Sequence, residues 1–588
     1  MTNDPLGPLR KEVREVQDRH PELSPDNAFV VWFLRAFIVD DEETALAAIV
    51  GGARDKGVDA LHIDHDNRLV SVVQGKYRQN SHAGSENRSD VLALANLGRV
   101  LARKERQEFK ALLGNADAGV EELLARARDA IQKRGYRLVL NFVTTGKVSA
   151  THRDEAIQCL DDWDLVSFEV HARSDLVRRM QDYVEGAAPP VPTISLPIHG
   201  EQSFNRFDQE TRISSWVFTI AGADLAKIFK ENGIRLFQRN IRGYLGKNDI
   251  NRGIERTIER EPEYFWYFNN GVTIVCDEAR QITDRQRKLL RVSNAQIING
   301  QQTTRTLAGT RGGTATVLVK VIAVSRDSDD DQRRYSHLVS EIVSATNRQN
   351  AIGQVDLKSN DLEQIRLERD LKKLGYRYIR KRQSKSETRR ADPKKYRAFV
   401  KKEELAKAVA SCILDPFEVR QGVNRLFEDD LYGRIFDGRP AIDYLTFYRL
   451  MRIASYCGRG DVRLGYAKWL VMHFLWSEVG SQLRRHSLQA SFLYAAEREY
   501  SYWKALQPLY RALEQIYQTA MAFYRENKRT KDGSLLDPST FFKYRNRHLQ
   551  FQKFWASGEN RRRNVVRVQL RKFVDGLKGI DVRGAVGV

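Results

Sequence analysis

The residues in this 588-residue chain best placed to do chemistry are Asp59, Gln74 and Lys76, inside the run GARDKGVDALHIDHDNRLVSVVQGKY. Residues 58–64 and 69–77 are both rich in β-formers and flank the turn-forming His65-Asp66-Asn67-Arg68, so the stretch reads as a β-hairpin. Alternation along the second strand puts Val70, Val72, Gln74 and Lys76 on one face and Leu69, Val73 and Tyr77 on the other. An amide and an ammonium side by side at the end of an otherwise apolar strand need a polar partner such as a metal, a water or a phosphate. Asp59, at the start of the neighbouring strand, can supply the anionic one. The bland reading is an ordinary hairpin whose lysine reaches back to solvent. His62 and His65 sit around the turn, where polar residues need no metal to explain them.

An Asp followed about fifteen residues later by Gln-x-Lys on a paired strand resembles the PD-(D/E)XK nucleases of the restriction-endonuclease-like fold. That resemblance implies a metal shell for Mg²⁺ (or Mn²⁺) formed by Asp59 and Gln74, with Lys76 orienting or activating the attacking water. Gln74 stands where the family usually has Glu or Asp; its carbonyl can ligate an ion but brings no charge. Such folds often take another acid from a preceding helix, and Glu43, in the cluster Asp40-Asp41-Glu42-Glu43, is the candidate. Helix capping accounts for that cluster equally well.

The elements that must position these residues follow from periodicity. Residues 10–50 read as helices, with Phe29, Trp32, Phe33, Ala36 and Phe37 on one face as core. After the hairpin come helices at 90–104 and 120–134, a buried strand at 136–145, a helix at 152–160, a strand at 165–170 and a helix at 174–183. Strands with helical crossovers give an α/β layered domain, and this order also resembles the nuclease core. The Pro-rich run at 186–192 breaks every regular element. The expected organisation is a nuclease-like α/β domain over 1–185, a linker over 186–194, an α+β region over 195–400 and a mainly helical region over 401–588.

FWYFNNGVTIV and AQIINGQQTT in the second half place Asn269, Asn270, Asn299, Gln301 and Gln302 at Asn-Gly turns between apolar strands. Amides donate and accept at once, which suits a base edge or a nucleotide; the alternative is that they satisfy loop backbone. With IRLFQRNIRGYLG and SATNRQNAI, these motifs resemble the AIPR family, the abortive phage infection proteins, over residues 214–370. Membership implies bacterial antiphage defence, and such proteins commonly carry a PD-(D/E)XK-like domain in front.

A net charge of +21 points to a polyanionic partner, nucleic acid first and DNA ahead of RNA. The densest basic stretch, 372–402, interleaves Tyr376, Tyr378, Tyr396 and Phe399 with cations that include Arg380, Lys381 and Arg382, a composition that suits phosphates and unpaired bases. Arg561-Arg562-Arg563 adds another basic patch. The aromatics beyond residue 403, from Trp469 to Tyr517, have the spacing of helical packing faces. No apolar run is long enough to span a membrane, since 29–39 is short and broken by Arg35. Four scattered cysteines without a CxxC pair indicate neither a disulfide framework nor a zinc site, and the N-terminal residues lack a secretory layout, so a cytoplasmic protein is expected. There is no Walker A loop and no GxGxxG. Self-association is left open. Two functions are in view: a Mg²⁺-dependent antiphage nuclease hydrolysing phosphodiester bonds, coupled to an AIPR sensing or nucleic-acid-binding region, or a non-catalytic nucleic-acid- or nucleotide-binding sensor.

Overall fold

The computed structural model describes residues 4–39, 42–50, 57–65, 68–79, 84–103, 105–114, 116–160, 166–186, 190–191, 193–240, 249–284, 287–310, 314–326, 329–348, 353–381, 396–460, 462–529, 535–542, 544–557 and 561–582. The chain forms two compact units, Met1–Arg239 with Gly253–Glu341, and Asn240–Arg252 with Ile342–Val588.

The first unit opens with helices α1 (Gly7–Arg19), α2 (Pro25–Phe37) and α3 (Glu42–Ala47). Ser24 caps α2 by accepting from Asn27 N (3.1 Å), with Pro25 at the first helical position. The aromatic stripe of α2 is buried as its spacing requires. Arg35 joins the three helices by pairing with Glu12 and Glu42. Burial alone would raise the Glu42 carboxyl, but Arg19 and Arg35 outweigh it and bring it down to about 2.

Strands β1 (Ala60–Asp64) and β2 (Leu69–Lys76) form the expected hairpin, with Arg68 in the left-handed region (φ 52°) closing the turn. Helices α4 (Arg88–Ala102), α5 (Arg106–Leu113) and α6 (Ala118–Arg134) lead to β3 (Arg137–Thr144), then α7 (Ala150–Gln158), β4 (Val166–His171) and α8 (Arg173–Val184). The sheet order is β1-β2-β3-β4, antiparallel in the hairpin and parallel from β2 onward. Val70, Val72, Leu138 and Leu140 pack in one core with α4 and α6. Val73 and Val143 pack in another with α1, α2 and α8. Gly75 marks where α2 crosses β2, because a Cβ there would lie 2.4 Å from Val30 Cγ2.

The same unit continues through β5 (Ile194–Pro197), β6 (His199–Asp208), β7 (Ile213–Ala221), α9 (Gly222–Asn232), α10 (Asp249–Arg260, in this unit from Gly253 onward), α11 (Phe265–Phe268), β8 (Val272–Cys276), β9 (Glu278–Asp284), β10 (Arg287–Ser293), β11 (Gln296–Asn299), α12 (Gln301–Gly309) and β12 (Thr316–Val324). These strands form a five-stranded sheet of order β11-β8-β12-β7-β6 and a three-stranded one of order β5-β10-β9. The Pro-rich run at 186–192 falls within this unit. Asp182 on α8 is buried against Arg326, beyond β12, at 2.8 and 3.1 Å, so a charge pair ties the two sides of that run together.

The second unit is mainly helical, with long helices at Lys402–Ile413, Ala441–Cys457, Val462–Leu483, Trp503–Asn527 and Arg561–Lys578 around one apolar core. A two-stranded parallel sheet pairs Tyr376–Ile379 with Ala398–Lys401. Among the described residues no helix is long and apolar enough to cross a membrane, and the cysteines are all free.

Candidate functional site

The hairpin brings Asp59 and Gln74 together by a local irregularity that alternation alone does not predict. Asp59 N donates to Val73 O (3.0 Å), although Val73 is already the partner of Ala60. Two residues of one strand therefore share one partner, the arrangement of a β-bulge, which re-aims side chains beside functional sites. The Asp59 carboxylate turns in and accepts from Gly75 N at 2.7 Å, the backbone of the residue between Gln74 and Lys76. Gln74 is 6 % exposed, and its head lies over Gly57, where a Cβ would stand 3.1 Å from Nε2. Gln74 Oε1 is buried with no hydrogen-bond partner. A buried carbonyl without a donor or a cation forfeits its desolvation energy, about 1–3 kcal/mol.

Lys76 ends β2 beside Thr144, the last residue of β3. Its ammonium lies 3.6 Å from Asp90 Oδ2 in the first turn of α4. Glu86, just ahead of that helix, is buried and accepts from Thr144 Oγ1 (2.6 Å) and Arg78 Nη2 (2.6 Å). Burial opposes its charge, yet the bonds from Arg78 and Thr144, followed by the Arg78 and Lys76 charges, outweigh this and hold its carboxyl below the usual range. Cations and carboxylates thus alternate at the carboxyl ends of two parallel strands, where open α/β sheets bind ligands.

Sequence reasoning missed Glu86 and Asp90. Asp90 was legible only as the opening of a helix, and Glu86 lies in a polar loop whose course is set by long-range bonds to β3. Glu43 is exposed on α3, while its neighbour Glu42 is the acid turned inward. No hydrogen bond or ion pair among the described residues brings Glu43 to the hairpin, nor do three His, Cys, Asp or Glu side chains converge as a metal shell. His65 instead bonds the Tyr136 hydroxyl at 3.1 Å.

The amide motifs sit close together, since β11 pairs with β8 and Asn299 is the partner of Thr273. Gly271 (φ 73°) and Gly300 (φ 94°) take the positive φ that the Asn-Gly pairs suggest. Asn269 is used locally, accepting from Gly271 N (3.0 Å) and donating to Thr303 Oγ1 (3.1 Å). Asn270 is exposed and Asn299 half-buried. Gln301 and Gln302 occupy the first turn of α12 rather than a loop, because Gly300 in its left-handed conformation starts the helix directly after β11. Gln302 Oε1 is buried without a partner.

The basic stretch differs most from its composition. Arg380 is 4 % exposed and bonds Glu368, Ser359 O and Asn360, so it is committed to the core of its unit rather than offered to phosphates. Tyr376 and Tyr378 are likewise buried, with hydroxyls on Glu497 and Gln364. Alternation of the short strand turns these two inward, which composition cannot reveal. Lys381 is half-buried, and Arg382 lies outside the described residues.

No curated protein and no solved structure matches the chain. The model of the AIPR protein family matches residues 237–528, a span that begins later than the motifs suggest and runs on through much of the helical unit. Residues 237–528 are thus similar to the AIPR family, and the match supports membership of it.

Proposed function

We propose that this protein is a divalent-metal-dependent nuclease of abortive phage infection, in which the β1–β2 hairpin hydrolyses phosphodiester bonds and the AIPR region senses or positions nucleic acid. The AIPR match suggests the defence role. The observation that carries the nuclease reading is the buried Gln74 carbonyl without a partner beside the inward-turned Asp59 carboxylate. A restriction-endonuclease-like fold for 1–185 agrees with the order of helices and strands around the hairpin.

Oxygen donors, one charged and one neutral, fit Mg²⁺ or Mn²⁺ better than a soft metal, and Asp59 and Gln74 would hold the ion. When bound, such an ion supplies charge neutralisation at the phosphate and a more acidic water. Lys76 would place its ammonium on a phosphate oxygen or the attacking water as the P–O bond breaks. Asp90, 3.6 Å away, positions that ammonium. The net charge of +21 draws the polyanion in.

The test is to incubate the full chain with double-stranded DNA, single-stranded DNA and RNA in EDTA, Mg²⁺ or Mn²⁺. Product formed only with metal, on DNA before RNA, is expected. Salt-dependent binding without cut product under every condition would instead support the non-catalytic sensor, a reading favoured by the neutral Gln74 where the nuclease family usually has an acid.

A further inference from the structure

The first unit contains a cavity of about 460 Å³ over the face of the four-stranded sheet opposite to Gln74 and Lys76. Its floor is polar where a sheet face is ordinarily apolar. Ser71, Asn141 and His171, from three adjacent strands, are all buried and line it. Asn141 Nδ2 donates to Val72 O (3.3 Å), leaving Oδ1 to accept from His171 Nε2 at 3.1 Å. Burial, followed by the charges of Arg179 and Arg153, keeps the His171 imidazole neutral. Its ring packs against Phe33 with centroids 5.1 Å apart. Burying such groups costs free energy, and a cavity of this size and mixed polarity is of the kind that takes small molecules.

The lining also includes a residue with a buried polar atom that has nothing to bond. Asn294, in the left-handed region at φ 53° between β10 and β11, is 7 % exposed. Its Nδ2 donates to Asp277 Oδ2 (3.2 Å), and Asp277 is fixed in turn by Arg326 and by the Tyr335 hydroxyl. The amide is therefore held one way round, and its Oδ1 is buried without a partner. A group so firmly oriented, at a backbone conformation few residues adopt, matches the pattern of strain kept at functional positions.

Arg153 and Arg178, with side chains 44 % and 37 % exposed, share the single carboxylate of Asp175 at 3.4 and 2.7 Å. Five arginines and four carboxylates line the whole cavity, a surplus of one positive charge. Phe33, Phe37 and Phe168 add flat apolar surface.

We propose that this cavity binds a nucleoside monophosphate, with an N–H of the base donating to Asn294 Oδ1, the ring against the phenylalanines and the phosphate on Arg153 and Arg178. Inorganic phosphate alone would leave the amide and the aromatic surface unused, and a free nucleoside would leave the arginines unused. This site lies on the face of the sheet opposite to Gln74 and Lys76 and shares none of the three residues proposed for hydrolysis, so binding and hydrolysis can fail separately.

Calorimetry on the full chain in EDTA, with AMP, GMP, CMP and UMP, the matching nucleosides and inorganic phosphate, tests it. At least one monophosphate should bind with a submillimolar Kd, its nucleoside and phosphate roughly tenfold or more weaker. Asn294→Gly, which keeps the positive φ, and the exposed Arg178→Gln should each weaken binding by about tenfold or more, as expected for loss of a buried or charge-assisted bond. Silence across the four monophosphates overturns the assignment, as does parental affinity in both variants or equal binding of phosphate alone.

Discussion

Replacing Gln74 by methionine separates what this residue does for the fold from what it does for chemistry. The side chain is 6 % exposed and its Oε1 has no partner, so without metal it carries an unsatisfied carbonyl worth about 1–3 kcal/mol. Methionine has nearly the same volume, fills the same space and has no carbonyl to desolvate. Gln74→Met should therefore stabilise the metal-free first unit by about 1–2 kcal/mol, which for a unit of this size is a rise of about 2 °C in Tm. Mg²⁺ should narrow the difference, because an ion that binds only the folded parent at ten times its Kd adds about 1.4 kcal/mol. Cleavage should fall with the lost ligand. Differential scanning calorimetry in EDTA and in Mg²⁺ reads both arms. A variant that melts about 3 °C below the parent in EDTA would refute the reasoning, since the carbonyl would then have a structural partner.

The remaining expectations concern the supports of the site and the helical unit. Glu86→Gln removes the charge paired with Arg78, whose side chain is 49 % exposed, and should cost about 1 kcal/mol by chemical denaturation. Because the Glu86 carboxyl is held low in the folded state, its stabilisation is full above the unfolded carboxyl pKa and is lost as pH falls through the folded one; a parent-minus-variant difference that grows on acidification would contradict this. Gly75→Ala puts a methyl 2.4 Å from Val30 Cγ2 and should destabilise by about 1–3 kcal/mol, with Val30→Ala restoring part of the loss in the double variant. Lys402 is 1 % exposed, and burial lowers its ammonium to about 8. The unfolded chain then binds more protons between about pH 8 and 10.5, so the helical unit should gain up to about 3 kcal/mol across that window. Hydrogen exchange at the Lys402–Ile413 helix reads it, and a flat profile would count against it.

Periodicity made the hairpin, the α2 aromatic stripe and the strand–helix order after it legible, because each depends on burial of one face. Alternation put Gln74 and Lys76 on one face, and the resemblance of the Asp…Gln-x-Lys spacing to a nuclease motif singled them out with Asp59. The bulge that turns Asp59 toward Gly75 N could not, since it arises from how β1 ends against β2. Glu86 escaped notice because its burial is decided by Thr144 and Arg78, distant or displaced in sequence. At Arg380 composition misled: a guanidinium in a basic run looks solvated, yet tertiary contacts with Glu368 and Asn360 bury it. The polar floor of Ser71, Asn141 and His171 was invisible for a related reason, as register between parallel strands is not written in either strand alone.

The most direct test of hydrolysis at the hairpin compares initial cleavage rates of the parent and Lys76→Ala in Mg²⁺, with melting curves of both. Lys76 is 30 % exposed at a strand end, so the variant should melt as the parent does and cleave about 10²-fold more slowly or worse. A folded Lys76→Ala protein that cuts at the parental rate would contradict the assignment of this site.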